Sequence, residues 1–159
     1  MNVDCVIVTY NRLSLLKECI TAVKAQTSPV HRIYVIDNNS TDGTFEFLEN
    51  FALDSQVKVI SLTENIGGAG GFARGIKEAV IAGADWVWVM DDDTIPYDDA
   101  LEKMLRAIDL TQDVGYVCSK VLWTDGTPHR MNVPGYFIGK QKETLYNAFS
   151  NGDTPAFLI

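Results

Sequence analysis

Cationic side chains are scarce in this 159-residue chain, where 13 Lys and Arg stand against 21 Asp and Glu for a formal charge of −8. They are also scattered, with no local basic patch, which argues against nucleic acid or another polyphosphate backbone as partner. Histidine is rarer still: His31 and His129 lack partner spacing, read as surface or turn residues, and enter no candidate site. Cysteine is confined to Cys5, Cys19 and Cys118, an odd number without a C-x-x-C pair. That argues against a disulfide framework or thiolate metal site and fits reduced thiols in the cytoplasm. No apolar run approaches the roughly 18 residues that a membrane span needs, and Met1-Asn2-Val3-Asp4 has none of the basic character that opens a signal peptide. The chain reads as soluble, without a transmembrane segment.

What is present is apolar and periodic. Hydrophobic residues make up 47% of the chain, enough to bury one core, so a single domain overall is expected. Val3 to Thr9 is apolar, β-branched and stopped by Tyr10-Asn11-Arg12, which predicts a buried strand. Leu16, Cys19, Ile20 and Val23 then recur at helical spacing, with Ser14 as a candidate cap and Ser28-Pro29 as the stop. The unit repeats: a strand over Arg32 to Asp37, turn chemistry at 38–43, and a helix through Leu48 and Phe51. A third strand over Val57 to Leu62 leads through a glycine-rich loop into a helix on which Phe72, Ile76 and Val80 share a face. A fourth strand, Asp85 to Met90, precedes a helix with Pro96 in its first turn and Leu101, Met104, Leu105 and Ile108 on one side. Gly115 to Trp123 reads as a fifth strand.

Alternating strands and helices with short links predict an α/β fold, a mostly parallel sheet covered by helices on both faces. Ligands of such sheets bind beyond the carboxyl ends of the strands. Thr9-Tyr10, Asp37, Asn65 and Asp91 to Asp93 all fall at such ends, so one cleft can collect them. After Trp123 the pattern changes, with a hairpin turn at Thr124-Asp125-Gly126-Thr127 and a polar, helix-free stretch to Asp153. The final Ala156-Phe157-Leu158-Ile159 reads as part of an apolar strand, and the whole as an N-terminal piece of a longer protein. Residues 1–123 are therefore expected to form the binding core and residues 124–159 to begin a second region.

The most informative junction is Asp91-Asp92-Asp93, directly after Trp86-Val87-Trp88-Val89-Met90. Three carboxylates crowded at one strand end repel one another, which calls for a positive partner there. Alternation along a strand sets Asp91 and Asp93 to one side and Asp92 to the other. Two carboxylates completed by diphosphate oxygens suit Mg²⁺ or Mn²⁺; a solvated turn with an N-cap is the plainer alternative. Gly68-Ala69-Gly70-Gly71-Phe72-Ala73 formally matches a dinucleotide fingerprint but stands after the third strand, whereas that fingerprint belongs after the first. Its glycines permit close backbone approach to a ligand, and Arg74, placed in the first helical turn, can reach a phosphate; a flexible connector is the alternative. Asp37 suits a base N–H or an Asx turn equally, and Thr9-Tyr10 suits base stacking or strand-end packing equally.

As an ordered set, Val6-Ile7-Val8-Thr9-Tyr10-Asn11-Arg12, Val35-Ile36-Asp37-Asn38-Asn39-Ser40-Thr41-Asp42-Gly43, Asn65-Ile66-Gly67-Gly68-Ala69-Gly70-Gly71-Phe72-Ala73-Arg74-Gly75 and Met90-Asp91-Asp92-Asp93 resemble the family 2 glycosyltransferases of the GT-A fold. The resemblance covers residues 3 to 123, and its glycine-rich segment looks most like bacterial rhamnosyl- and galactofuranosyltransferases. It implies a Rossmann-like sheet binding a UDP- or TDP-sugar for inverting transfer to a saccharide or lipid-linked acceptor, in the cytoplasm or peripherally at the inner membrane face. It further implies that Thr9, Tyr10 and Asp37 contact base and ribose. Asn11, Arg12 and Asn39 belong to the same nucleoside-cradling motifs, and Asn65 and Gly68 to the segment near the diphosphate, where Arg74 acts. Asp92 would hold ribose, and Asp91 with Asp93 the metal of the D-x-D motif. The general base of such enzymes lies in a later acidic motif that this chain does not show, so poor turnover is expected, a base being worth about 10² to 10⁴ in rate.

Three other readings compete. A haloacid dehalogenase-type phosphatase is nearly matched by Asp91-Asp92-Asp93-Thr94-Ile95, but Ile95 breaks its motif, which would also normally end the first strand. A nucleotidyltransferase would carry a glycine-rich loop with a basic residue after that strand, which is absent here. A non-catalytic binding module is not separated by composition.

Overall fold

β1 (Val3–Thr9) is buried along its whole length, as befits a central strand covered on both faces. It pairs in parallel with β2 (Arg32–Asp37) on one side and β4 (Trp86–Asp91) on the other. β3 (Val57–Ser61) adds outside β2, giving the order β3-β2-β1-β4. The computed structural model that defines this architecture describes residues 1–110, 114–129 and 156–158. The chain divides into two compact units, Met1–Asp98 and Asp99–Ile159, a division earlier than the change of sequence pattern after Trp123.

The strand order has a functional consequence. From β1 the chain steps outward through β2 to β3, then returns to the far side of β1 as β4. The order therefore reverses between β1 and β4, and a crevice for ligands opens at such a reversal, at the carboxyl ends. Register sets Val8 beside Asp91 and Thr9 beside Asp37, so the ends of all three strands lie level.

Alternation along the strands feeds two cores. Val6, Val8, Tyr34 and Ile36 cluster with Ala79 of α3 (Gly67–Ile81). Cys5, Ile7, Ile33 and Val35 are also fully buried and alternate with that set, and α1 (Leu13–Lys24) buries Leu16, Cys19, Ile20 and Val23 as its periodicity predicts. There the Cys19 thiol lies 3.8 Å from the Met90 sulfur and 3.9 Å from the Asp91 carbonyl. Helices thus cover both faces.

α3 corrects two expectations. The segment read as a glycine-rich loop is helical from Gly67, so Arg74 stands well inside the helix rather than in its first turn. The helix is also rotated from the expected seat, although Phe72 still packs against the core. Its buried residues are Gly71, Gly75 and Ala79, while Ile76 and Val80, expected to face the core with Phe72, are 37% and 57% exposed. A Cβ at Gly75 would stand 2.4 Å from Val6 Cγ1, and one at Gly71 2.7 Å from Val8 Cγ1, so the helix backbone lies directly on β1.

Caps and breaks differ in detail as well. Ser14 does not cap α1, which starts at Leu13; its first free N–H, on Leu13, donates to Asp42 Oδ2 at 2.9 Å. Asp42 Oδ1 accepts from the Thr44 hydroxyl at 2.6 Å and the Thr44 N–H at 3.2 Å, so one carboxylate serves the starts of both α1 and α2 (Thr44–Glu49). Burial raises the Asp42 pKa, but the hydrogen bonds from Thr44 and Leu13 outweigh it and leave the group below its ordinary value. A depressed pKa adds stability that is present above the unfolded value near pH 3.9 and disappears as pH falls through the folded one. Asp42→Ala is expected to lose about 1 kcal/mol at pH 7, with the difference from the parent shrinking below about pH 4 in urea melts.

Pro96 precedes the helix it was expected to start: α4 begins at Ala100. The chain before it is tied to the segment after α1, with Tyr97 and Asp98 carbonyls accepting from Gln26 Nε2 and the Thr27 N–H, both at 2.8 Å. In the second unit α4 (Ala100–Asp109) accompanies β5 (Val117–Ser119) and β6 (Ala156–Leu158), which pair antiparallel in a separate sheet. The expected fifth strand is therefore shorter and no part of the parallel sheet. The hairpin turn after it forms, Trp123 N–H donating to the Thr127 carbonyl at 2.8 Å. The stretch expected to be helix-free up to Asp153 lies largely outside the described residues.

Candidate functional site

Asp92 is the centre of the candidate site. It is buried, while Asp91 and Asp93 on either side are exposed, the alternation expected of a strand end. Its Oδ2 accepts from the Thr9 hydroxyl at 2.7 Å, and the Tyr10 N–H also donates to it. The ends of β1 and β4 are thereby tied together, with the Tyr10 ring left exposed beside them.

Asn11 then turns the chain. Its φ of 53° lies in the left-handed region, which asparagine tolerates better than most residues. It is fixed from both sides, its N–H donating to Ser40 Oγ at 3.0 Å and its Oδ1 accepting from the Thr41 N–H at 2.7 Å. The next residue, Arg12, is directed back over β4: Nη1 donates to Asp93 Oδ2 at 2.7 Å and approaches Asp92 Oδ1 at 3.5 Å.

On the β2 side, buried Asp37 accepts from the Ser40 N–H at 3.0 Å through Oδ1, so the turn reading is realised for that oxygen. Asn38, also buried, bridges to the start of α3. Its Nδ2 donates to the Gly67 carbonyl at 3.3 Å and its Oδ1 accepts from the Ile66 N–H at 3.4 Å. Asn65 Oδ1 accepts from the Gly67 N–H at 2.8 Å and supports Gly67 in its left-handed φ of 77°. Beyond it Gly68 faces open space.

Thr9, Tyr10, Arg12, Asp92 and Asp93 thus form one connected group, and Asn11, Asp37 and Asn65 brace the loops around it. Among the described residues Asp91 shows no side-chain bond to this group, and two further predicted residues are turned elsewhere. Asn39 is exposed at a positive φ of 65°, and Arg74 pairs with Glu78 along α3 at 3.1 Å. Asn38 and Asp42 were missed as positioning residues; the signal for both was available, an amide directly after a strand and an acid just before a helix.

The electrostatics are those of unmet negative charge. Burial raises the Asp91 pKa, the neighbouring charges of Asp93 and Asp92 raise it further, and Arg12 offsets part of this. Burial likewise raises Asp92, against the lowering effect of the Thr9 hydrogen bond and Arg12. The thiol beneath is pushed up to about 12 by burial and by Asp92 and Asp93, so Cys19 is a neutral neighbour of the carboxylates. One guanidinium pairs with two of the three carboxylates, a donor set of hard oxygens that suits a divalent cation. Among the described residues no three His, Cys, Asp or Glu side chains converge to hold a metal by themselves, so a cation here would take further oxygens from water or a ligand.

Comparison with known proteins now bears on this site. The model of glycosyl transferase family 2 matches residues 4–157. The chain belongs to that family. Galactofuranosyltransferase GlfT1 of Mycolicibacterium smegmatis is 33% identical over 129 residues, which are 81% of this chain and 42% of the relative. GlfT1 of Mycobacterium tuberculosis is 36% identical over 95 residues, 58% of this chain and 30% of the relative. The family 2 chain therefore spans less than half the length of these curated relatives. S. aureus TarS 1–349 in complex with UDP shares the fold at a TM-score of 0.65 and 21% identity, covering 89% of this chain and 39% of that one. Mannosyltransferase PcManGT from Pyrobaculum calidifontis, in complex with GDP-Man and Mn²⁺, also gives a TM-score of 0.65, at 23% identity over 77% of this chain and 36% of that one. The architecture is the GT-A one, a mostly parallel four-strand sheet with flanking helices. Among the described residues no helix is long and apolar enough to cross a membrane.

Proposed function

We propose that this chain is the donor-binding part of a glycosyltransferase that holds a nucleoside diphosphate sugar, UDP- or TDP-linked, across the carboxyl ends of β1, β2 and β4 for inverting transfer to a saccharide or lipid-linked acceptor. The observation that carries the reading is the convergence of Thr9, Arg12, Asp92 and Asp93 at the reversal of strand order, reached from residues 80 or more positions apart. Exposed Tyr10 offers a ring for the base. Asp92, oriented by Thr9, accepts a hydrogen bond from a ribose hydroxyl, and Asp91 with Asp93 holds Mg²⁺ or Mn²⁺. When bound, the cation supplies positive charge to the diphosphate as it leaves. Arg12 adds a second cationic group on the same side, and the backbone at Gly67 and Gly68, free of Cβ atoms, lets phosphate or sugar lie close to the start of α3. Arg74 contributes to the diphosphate only from a rotamer that releases Glu78. The bound nucleotides of the TarS and PcManGT complexes support this class of ligand, and an acceptor bound at a membrane would bring the protein to its cytoplasmic face.

Calorimetry with UDP-, TDP- and GDP-sugars, with and without Mn²⁺, tests the reading. One nucleotide class is expected to bind at least about tenfold more tightly with the metal, and Asp93→Asn to remove that gain, about 1.4 kcal/mol. Binding that ignores both the metal and the substitution would overturn the assignment.

A further inference from the structure

We propose that Arg12 is a resident counter-cation: it closes the Asp92–Asp93 pair while the crevice is empty, and must leave it before a divalent cation can enter. The inference rests on the metal-site reading above and adds an order to it, in which metal and nucleotide enter together and neither enters well alone.

The geometry is that of a latch. The guanidinium lies 2.7 Å from Asp93 Oδ2 and 3.5 Å from Asp92 Oδ1, spanning two carboxylates with one nitrogen. No other Lys or Arg among the described residues pairs with either group. A second cation on the same Asp93 oxygen would meet the guanidinium charge at close range, where repulsion is only partly screened. The two cannot share the carboxylate at full strength.

The latch can also open. The Arg12 side chain is 51% exposed, so packing holds it only in part. Its backbone, by contrast, follows Asn11, whose left-handed turn is anchored to Ser40 and Thr41. Movement is therefore confined to the side chain, which swings about a fixed base at the rim of the crevice. An incoming diphosphate offers the oxygen pairs that a forked guanidinium prefers, and so replaces the carboxylates that Arg12 gives up. Nucleotide binding withdraws the latch and frees Asp93. By linkage, bound metal must favour nucleotide by the same factor.

Mn²⁺ titrations followed by electron paramagnetic resonance, on the whole chain without nucleotide, test this directly. Arg12→Ala is expected to bind Mn²⁺ alone about tenfold more tightly than the parent, a moderate gain suited to a half-exposed pair, and Arg12→Lys to stay near the parent. With saturating UDP the advantage of Arg12→Ala is expected to vanish, because the parent latch is then already open. Equal or weaker Mn²⁺ binding by Arg12→Ala in the absence of nucleotide overturns the proposal, as does an advantage that persists unchanged with UDP. Asp93→Asn separates the two readings: if it binds Mn²⁺ with UDP as well as the parent does, the metal site itself is misassigned, whatever Arg12 does.

Discussion

Gly75→Val is expected to cost the first unit about 3 kcal/mol or more, and Gly75→Ala about 2 kcal/mol, read as lower urea midpoints with unchanged slopes. A Cβ at this position would stand 2.4 Å from Val6 Cγ1 and 3.1 Å from Ile36 Cγ1. Both are fully buried in the central strands and cannot retreat without moving the sheet. The helix-propensity gain from removing a glycine, about 1 kcal/mol for alanine, works in the opposite direction and is too small to win. Gly68 supplies the internal control. It lies in the same helix, and a Cβ there would meet nothing within 4 Å, so Gly68→Ala is expected to be neutral or slightly stabilising. A Gly75→Ala variant as stable as Gly68→Ala would show that α3 is not seated on its glycines.

The second large effect concerns the opposite end of β1. Asp4 is completely buried, with His31 Nδ1 at 3.0 Å from Oδ1 and Arg32 Nη1 at 3.8 Å from Oδ2. Arg32 also donates to the Ala82 carbonyl at 3.1 Å, so the group links β1, β2 and the end of α3. Oδ2 has no hydrogen bond of its own, which makes the carboxylate dependent on nearby positive charge. The double variant His31→Ala, Arg32→Ala is expected to lose about 3–5 kcal/mol, because it strands a buried charge. Asp4→Asn should cost less, about 1 kcal/mol, and should rescue much of the double variant when added to it. A triple variant no more stable than the double would refute this account.

The strands of the first unit were legible because apolar, β-branched runs ending in polar turns have few other readings, and β1, β2 and β4 lie within a residue of expectation. α3 was misread for a physical reason. Hydropathy records side chains, and the buried stripe Gly71-Gly75-Ala79 has almost none, so the apolar signal pointed to Phe72, Ile76 and Val80, of which Phe72 packs against the core while Ile76 and Val80 are exposed. The misplaced start of the same helix carried Arg74 with it. The aspartates stood out as a candidate site from crowding alone, but the bond from Arg12 to Asp93 crosses 81 positions and no local spacing encodes it. Asn38 rather than Asn39 faces inward, a choice between adjacent amides that depends on where the strand pleat stops.

The Cys19 thiol, held between the Met90 sulfur and the Asp91 carbonyl, gives the site a built-in clock. Sealed under the aspartates and kept protonated, it reacts with an alkylating reagent only during excursions in which α1 lifts from β4. Its labelling rate therefore reports how often the floor of the crevice breathes, without any change to the sequence. Any ligand that clamps the carboxylates above it slows that clock.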